Sequence, residues 1–315
     1  MAMLVLVALD IRRPFSRADA VALGLDPRRL EGSGFRRVFR GVYVAASVEL
    51  TPSLRAEAAL VPFHPTSFAS HVSAARLHGV PIPVVPDEHV SVLDRRHRRE
   101  RAGIRCHLAS TSAQVREVRG VRVSGVEQMF VELGELLTLV DLVVVGDHLV
   151  RTGRTTPARL REFCARASGS GARPARAAAA YVRERVDSPM ETRLRMLIVL
   201  GGLPEPDVNL AIRDQDGMVL RRHDLRYRRS RTVIEYDGRH HIEREHQWEA
   251  DLDRREETEN DGDRVIIVVA SGIYGDPGRT LARIWRVLRE RGEPDVPSRL
   301  SDAWRPHFPA RTRVA

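Results

Sequence analysis

The 315-residue chain contains no lysine, so all 51 of its basic residues are arginine. A guanidinium stays protonated, so none of these side chains can serve as a base. Cysteine is nearly absent as well. Cys106 and Cys164 lie far apart in sequence, which excludes a disulfide framework and a thiolate zinc site. Long apolar runs are missing too. The opening segment, residues 1–10, is apolar but has no basic lead-in and no small-residue cleavage pattern, and the run Leu136–Val145 is short and interrupted by Asp141. The expectation is no signal peptide, no membrane-spanning helix and a cytoplasmic protein. No repeat recurs at a fixed period.

What is present is a globular mixture, 43% hydrophobic and 30% charged, long enough for two compact domains and a small module. The net charge of +9 favours a polyanionic partner through counterion release, with nucleic acid first. The bland alternative is a solvated surface shaped by a coding bias towards arginine.

Residues 12–45 read as a small winged-helix unit. Ser16 and Asp19 start one helix that ends at Gly24, and Asp26 caps a second that runs to the turn at Gly32–Gly34. The alternation from Phe35 to Val44 suits a hairpin wing. Such a unit places its second helix in the major groove, with Arg28, Arg29, Arg36, Arg37 and Arg40 as the DNA contacts, or else serves only protein contacts. The region 51–186 is mixed α/β. Helices are expected at 53–61 and 71–79, strands at 88–93 and 104–108, and a helix from Ser124 through Val140. Arg95, Arg96, Arg98, Arg99, Arg101 and Arg105 mark a basic loop, most simply a solvated one. His71 and His78 lack a third ligand nearby and read as packing or surface histidines. The stretch Ala167–Pro174 has the composition of a flexible connector before an Ala-rich helix at 175–185.

The unit at 187–291 reads as helix, two or three strands, helix, strand, helix, followed by a proline-rich tail, 292–315, expected to be poorly ordered. Ser188-Pro-Met-Glu191 forms a capping box, which by itself explains Glu191. Asp224 lies within a strand, and Glu235 and Asp237 end the next one, on one face by period-two alternation. Hairpin pairing brings Asp224 within their reach. Carboxylates gathered in this way repel one another unless a cation joins them, and oxygen ligands suit Mg²⁺ or Mn²⁺. The plainer reading of Glu235-Tyr-Asp237 is a polar strand end entering the turn at Gly238, and Arg226 or Arg231 could pair with Asp224.

The run His223-Asp-Leu-Arg-Tyr, then Val233-Ile-Glu-Tyr-Asp-Gly-Arg-His-His241, the charged segment Asp251–Arg255 and Arg264-Val-Ile-Ile-Val resembles the restriction-endonuclease-like PD-(D/E)XK superfamily, most closely its Vsr-like, very-short-patch-repair branch. The resemblance covers residues 187–291 and implies an α+β fold, a mixed sheet flanked by helices. It maps the site onto Glu191, Asp224, Glu235, Asp237, Gly238 and His241, with the metal held by Asp224 and Glu235, and by Glu191 through water. The front half, through Arg40-Gly-Val-Tyr-Val44 and Ser70–Gly79, resembles the winged-helix region of AbiEi-type antitoxins. The family's Glu-x-Lys motif is broken here, because Asp237 occupies the lysine position. His241, and less so His240, is then the candidate base, and Arg239 or Arg244 the cation facing the developing phosphorane charge. The expected function is a Mg²⁺-dependent DNA endonuclease of DNA repair or phage defence. The alternatives are a DNA-binding regulator that has lost cleavage and an interaction module of a toxin–antitoxin or defence system.

Overall fold

The protein is described by a computed structural model covering residues 9–110, 112–213, 216–238 and 262–309. It has the expected mixed α and β content and divides into two compact units, Met1–Leu137 with Arg159–Arg176, and Thr138–Ala158 with Ala177–Ala315. Among the described residues no helix is long and apolar enough to cross a membrane. Cys106 and Cys164 are not bonded to each other.

In the first unit, β1 (Phe15–Ser16), β2 (Phe35–Phe39) and β3 (Val42–Ala45) form a three-stranded antiparallel sheet in the order β1-β3-β2. Helix α1 (Arg17–Ala22) is capped by Ser16, whose hydroxyl accepts the Asp19 N–H at 3.0 Å. The second helix expected at Asp26 is a single 3-10 turn, Pro27–Glu31. Phe15, Ala20, Leu30 and Tyr43 make the core of this part.

The chain continues through α2 (Pro52–Leu60), β4 (Phe68–Ala69), α3 (His71–Leu77), β5 (Glu88–Val92), β6 (Ile104–Leu108), β7 (Val115–Val118), β8 (Val121–Ser124) and α4 (Val126–Leu133). The sheet order is β6-β5-β4-β8-β7, with β5 parallel to β6 and β4 parallel to β8. Phe39 and Val42 of the small sheet pack in one cluster with Ala58, Ala59, Val90, Val92 and Ile104. This shared core is why the expected division at residue 50 does not separate compact units.

The helix expected from Ser124 through Val140 is two helices. α4 stops before Gly134, and α5 (Leu139–Arg151) restarts from Thr138, whose hydroxyl accepts the Asp141 N–H at 3.2 Å. The chain returns to the first unit in α6 (Pro157–Arg166), and α7 (Ala172–Ala179) spans the boundary. The expected connector 167–174 is packed instead. A Cβ on Gly171 would stand 2.1 Å from the Val131 carbonyl oxygen, and one on Gly134 would stand 2.5 Å from that of Gly171. These glycines permit close backbone approach rather than looseness.

The second unit joins α5 to α8 (Pro189–Leu200). Asp147 of α5 accepts from Thr192 and from the fully buried Arg195 of α8, each at 2.9 Å. Ser188 caps α8 as expected, accepting the Glu191 N–H at 3.2 Å. Then come β9 (Asp207–Arg213), β10 (Val219–Tyr227), β11 (Thr232–Asp237), β12 (Arg264–Val269), α9 (Ala270–Tyr274) and α10 (Pro277–Glu290). The sheet order is β12-β11-β10-β9, antiparallel except for the parallel pair β11–β12. Over residues 292–309 the tail is packed rather than loose. Trp304 and Phe308 are buried, the Ser301 N–H donates to the Gly201 carbonyl at 2.9 Å, and the Trp285 indole donates to the Pro297 carbonyl at 2.9 Å.

Candidate active site

The β10–β11 hairpin carries the acids. Its ladder runs from Tyr227 opposite Thr232 to Leu225 opposite Ile234 and ends there. Leu225, Val233 and Ile234 are fully buried, and since Val233 and Ile234 point to opposite faces, both faces of the hairpin are covered here. At the turn end, Arg226 donates to both oxygens of Asp263 at 3.1 and 2.7 Å, and Arg231 adds a contact at 3.4 Å. The two arginines considered as partners for Asp224 are therefore bound to a different acid.

At the open end, one residue past the last pair, the Asp224 carboxylate accepts the backbone N–H of Tyr236 at 2.9 Å. Glu235 meets the Nδ1 of buried His223 at 3.1 Å. Glu191, in the first turn of α8, accepts the Asp187 N–H at 3.0 Å and the Asn209 side-chain N–H at 2.9 Å through the same oxygen. Each of these bonds fixes one carboxylate oxygen. Burial, followed by the negative charges of Glu191, Glu235 and Asp187, pushes the Asp224 carboxyl from 3.8 up to about 7, against the opposing pull of the Tyr236 N–H. Among the described residues, no guanidinium bonds to Asp224, Glu191 or Glu235.

Glu191, Asp224 and Glu235 thus share one electrostatic neighbourhood. They are not a closed set of ligands. The described side chains that bring three ligand atoms within 4.8 Å of one another are His71, His89 and His107. Asp237 ends β11 opposite Val269 of β12. His240, His241, Arg239, Arg244 and Asp251–Arg255 lie outside the described residues.

In the first unit, Arg28 and Arg29 project from the 3-10 turn, Arg36 and Arg37 from β2, and Arg40 from the hairpin turn, all exposed. Arg101 donates to the Arg40 carbonyl at 3.4 Å, joining that turn to a depression lined by Arg95, Arg98, Arg99 and Arg101. By contrast, Arg96 is paired with Asp94 at 2.6 Å and Arg105 with Asp87 at 3.4 Å.

Sequence reasoning missed several members of these sites. Asp187 and Asn209 were not singled out in the sequence, and His223 appeared only as the strand neighbour of Asp224. Strand alternation pointed His223 to the opposite face, yet beyond the ladder's end it reaches Glu235. The imidazole group was missed because His89 and His107 sit on separate strands far from His71 in sequence. Burial first, and then the neighbouring His71, hold His89 down at about 3 and His107 at about 4. No known family model matches the chain, and no curated protein matches it.

Proposed function

We propose that the chain is a cytoplasmic DNA endonuclease, its second unit holding Mg²⁺ or Mn²⁺ on Asp224 and Glu235, with Glu191 acting through water. The observation that carries this reading is the gathering of Asp187, Glu191, Asp224 and Glu235 at the open hairpin end with no guanidinium bound to Asp224, Glu191 or Glu235 among the described residues. The donor chemistry fits the group, since hard dications with oxygen ligands are bound by carboxylates and water. The backbone N–H groups of Tyr236 and Asp187 and the ring of His223 each hold one oxygen of a carboxylate, which orients the other oxygen. A bound dication supplies charge to a phosphate oxygen and lowers the pKa of a water.

The chain's residues divide the remaining work. In hydrolysis a water oxygen bonds to phosphorus, its proton passes to a base, and one ester oxygen leaves. His241 is the assigned base, and Arg239 the cation beside the phosphorane. The exposed Arg28, Arg29, Arg36, Arg37 and Arg40 engage the duplex, mainly through phosphates. A second reading, a DNA-binding regulator or antitoxin-like protein without cleavage, is favoured by two observations. Asp237 stands where the superfamily that the sequence resembles carries its lysine, and the three acids do not close to ligand distance.

The test is incubation of the purified chain with supercoiled plasmid and with single-stranded DNA, in Mg²⁺, Mn²⁺ or EDTA, beside Asp224→Ala. The expected result is nicking that needs the dication and falls at least about 100-fold in the variant, no less than the loss typical of disturbing a metal site. Nicking that Asp224→Ala leaves unchanged overturns the site. Binding without cleavage in every condition establishes the regulator.

A further inference from the structure

We propose that His71, His89 and His107 of the first unit form a binding site for Zn²⁺, with Glu135 as the fourth ligand. The three imidazoles come from three elements. His71 is the first residue of α3, and His89 and His107 lie on the parallel neighbours β5 and β6, where His107 stands opposite Ser91. His89 and Ser91 share a face of β5, so His89 and His107 project to the same side of the sheet. The His89 Nδ1 lies 2.9 Å from the His107 Nε2, and each of the three rings offers a nitrogen within 4.8 Å of the others. The His71 and His107 rings stack with centroids 3.9 Å apart.

Packing alone leaves this arrangement unsatisfied. The Nε2 atoms of His71 and His89 are both buried and have no hydrogen-bond partner. An unpaired buried polar nitrogen is costly, and the His71 Nε2, with a Glu135 oxygen 3.8 Å away, calls for a partner. The surroundings also fix the rings. The His71 backbone N–H donates to Glu132 at 2.9 Å and its Nδ1 meets the Ser70 hydroxyl at 3.0 Å, which leaves its Nε2 as the ligand atom. Ser70 in turn accepts from Ser91 at 2.8 Å, and Ser124 donates to Glu132 at 2.8 Å. An imidazole held through its second nitrogen, as His71 is by Ser70, has the usual outer shell of a zinc ligand.

Glu135 stands beside the set on the His71 side. One of its oxygens lies 3.8 Å from the His71 Nε2, and its side chain is 34% exposed, against 4% for His71, so the fourth position is the one nearest solvent. Its other oxygen is held at 2.6 Å by the Ser170 hydroxyl. Three neutral imidazoles and a carboxylate suit a borderline-soft dication at about 2.0–2.2 Å and do not suit Mg²⁺. The backbone carries its own signature here, since His71 adopts φ 49°, in the left-handed region that a residue other than glycine enters only when its surroundings hold it. The site does not depend on the nuclease reading, because it uses nitrogen donors in the other unit.

The test uses the full chain, stripped with a chelator, supplied with one equivalent of Zn²⁺, desalted and analysed for metal by mass spectrometry. Co²⁺ titration provides an optical readout of the same site. The expected result is one zinc per chain and four-coordinate Co²⁺ absorption, with affinity at least about 100-fold weaker in His89→Gln and His107→Gln. His64→Gln, which alters a separate stacked histidine pair, retains the metal. Circular dichroism establishes that the variants are folded. Where one is not, nitrogen ligation in the X-ray absorption spectrum of the zinc-loaded wild-type chain decides the matter. A wild-type chain that retains no zinc, or folded His89→Gln and His107→Gln chains that bind it as the wild type does, overturns the proposal.

Discussion

At the turn end of the β10–β11 hairpin, the buried Asp263 sits between Arg226 and Arg231, whereas at the open end Asp224 meets a backbone N–H and three further acids. The two aspartates serve the same sheet, and both are largely withdrawn from water. Some buried acids elsewhere follow the first pattern, although the buried Glu132 is held by the His71 N–H, Ser124 and Gln128 instead. Glu88 is bound by Arg76 and Arg55, and Asp147 by Arg195. In a protein with nine more cations than acids, an arginine for every buried carboxylate is easily supplied. The difference teaches that the open end is not short of arginine by composition. Among the described residues, no guanidinium answers its negative charge.

The largest test of this contrast is Asp263→Ala. Removing the acid leaves Arg226 without its main partner, and a broken buried pair costs about 3 kcal/mol or more. Urea denaturation should show that loss with an unchanged slope. A neutral result would mean that the turn end is not held by its ion pair, and the contrast would collapse.

A smaller effect of opposite sign is expected from Asp224→Asn. The folded carboxyl titrates at about 7 and the unfolded one at 3.8, so protonation favours the folded state. That contribution is fully present below about 3.8 and is lost as the pH rises through about 7. Above pH 7 the wild type bears an ionised, partly desolvated carboxylate that the amide does not. Asp224→Asn should therefore raise the melting temperature at pH 8 in EDTA by roughly 2–4 °C, the shift produced by about 1 kcal/mol, and change it little at pH 4. A variant less stable at both pH values would place Asp224 with the structural acids.

The two ends of the hairpin also differ in how far the sequence announces them. The Ser188 cap, the two hairpins and the strand 104–108 were legible because short-range rules decide them: a hydroxyl three residues from an N–H, apolar alternation, a glycine turn. The return bond of the expected box is not made, since Glu191 accepts from the Asp187 N–H instead. The acids of the open end share this advantage, since one hairpin connects Asp224 and Glu235. The Asp263 pairing was hidden because it depends on β12 returning parallel to β11. The histidine group needed the same kind of knowledge, three elements meeting across a sheet. Gly134 and Gly171 misled for a related reason. Composition reads glycine as freedom, whereas here a carbonyl of the opposing segment occupies the space a Cβ would need. The tail read as loose because its anchors, Trp304 and Phe308, are single residues without periodicity.

The smallest effect, and the sharpest, comes from Glu235→Gln. It removes one like charge from the neighbourhood of Asp224 and leaves the burial, which is the leading cause of its raised pKa. The Asp224 titration should move down from about 7 but stay above 3.8. The midpoint can be read as the pH above which the stability difference between Glu235→Gln and Glu235→Gln/Asp224→Asn levels off, a comparison that cancels whatever the glutamine does by itself. A midpoint that falls all the way to the ordinary carboxylate range would mean that crowding by Glu235, rather than burial, raises the pKa. A midpoint that does not move would mean that Glu235 lies too far from Asp224 to share a cation with it, and the open end would then need its second ligand from Glu191.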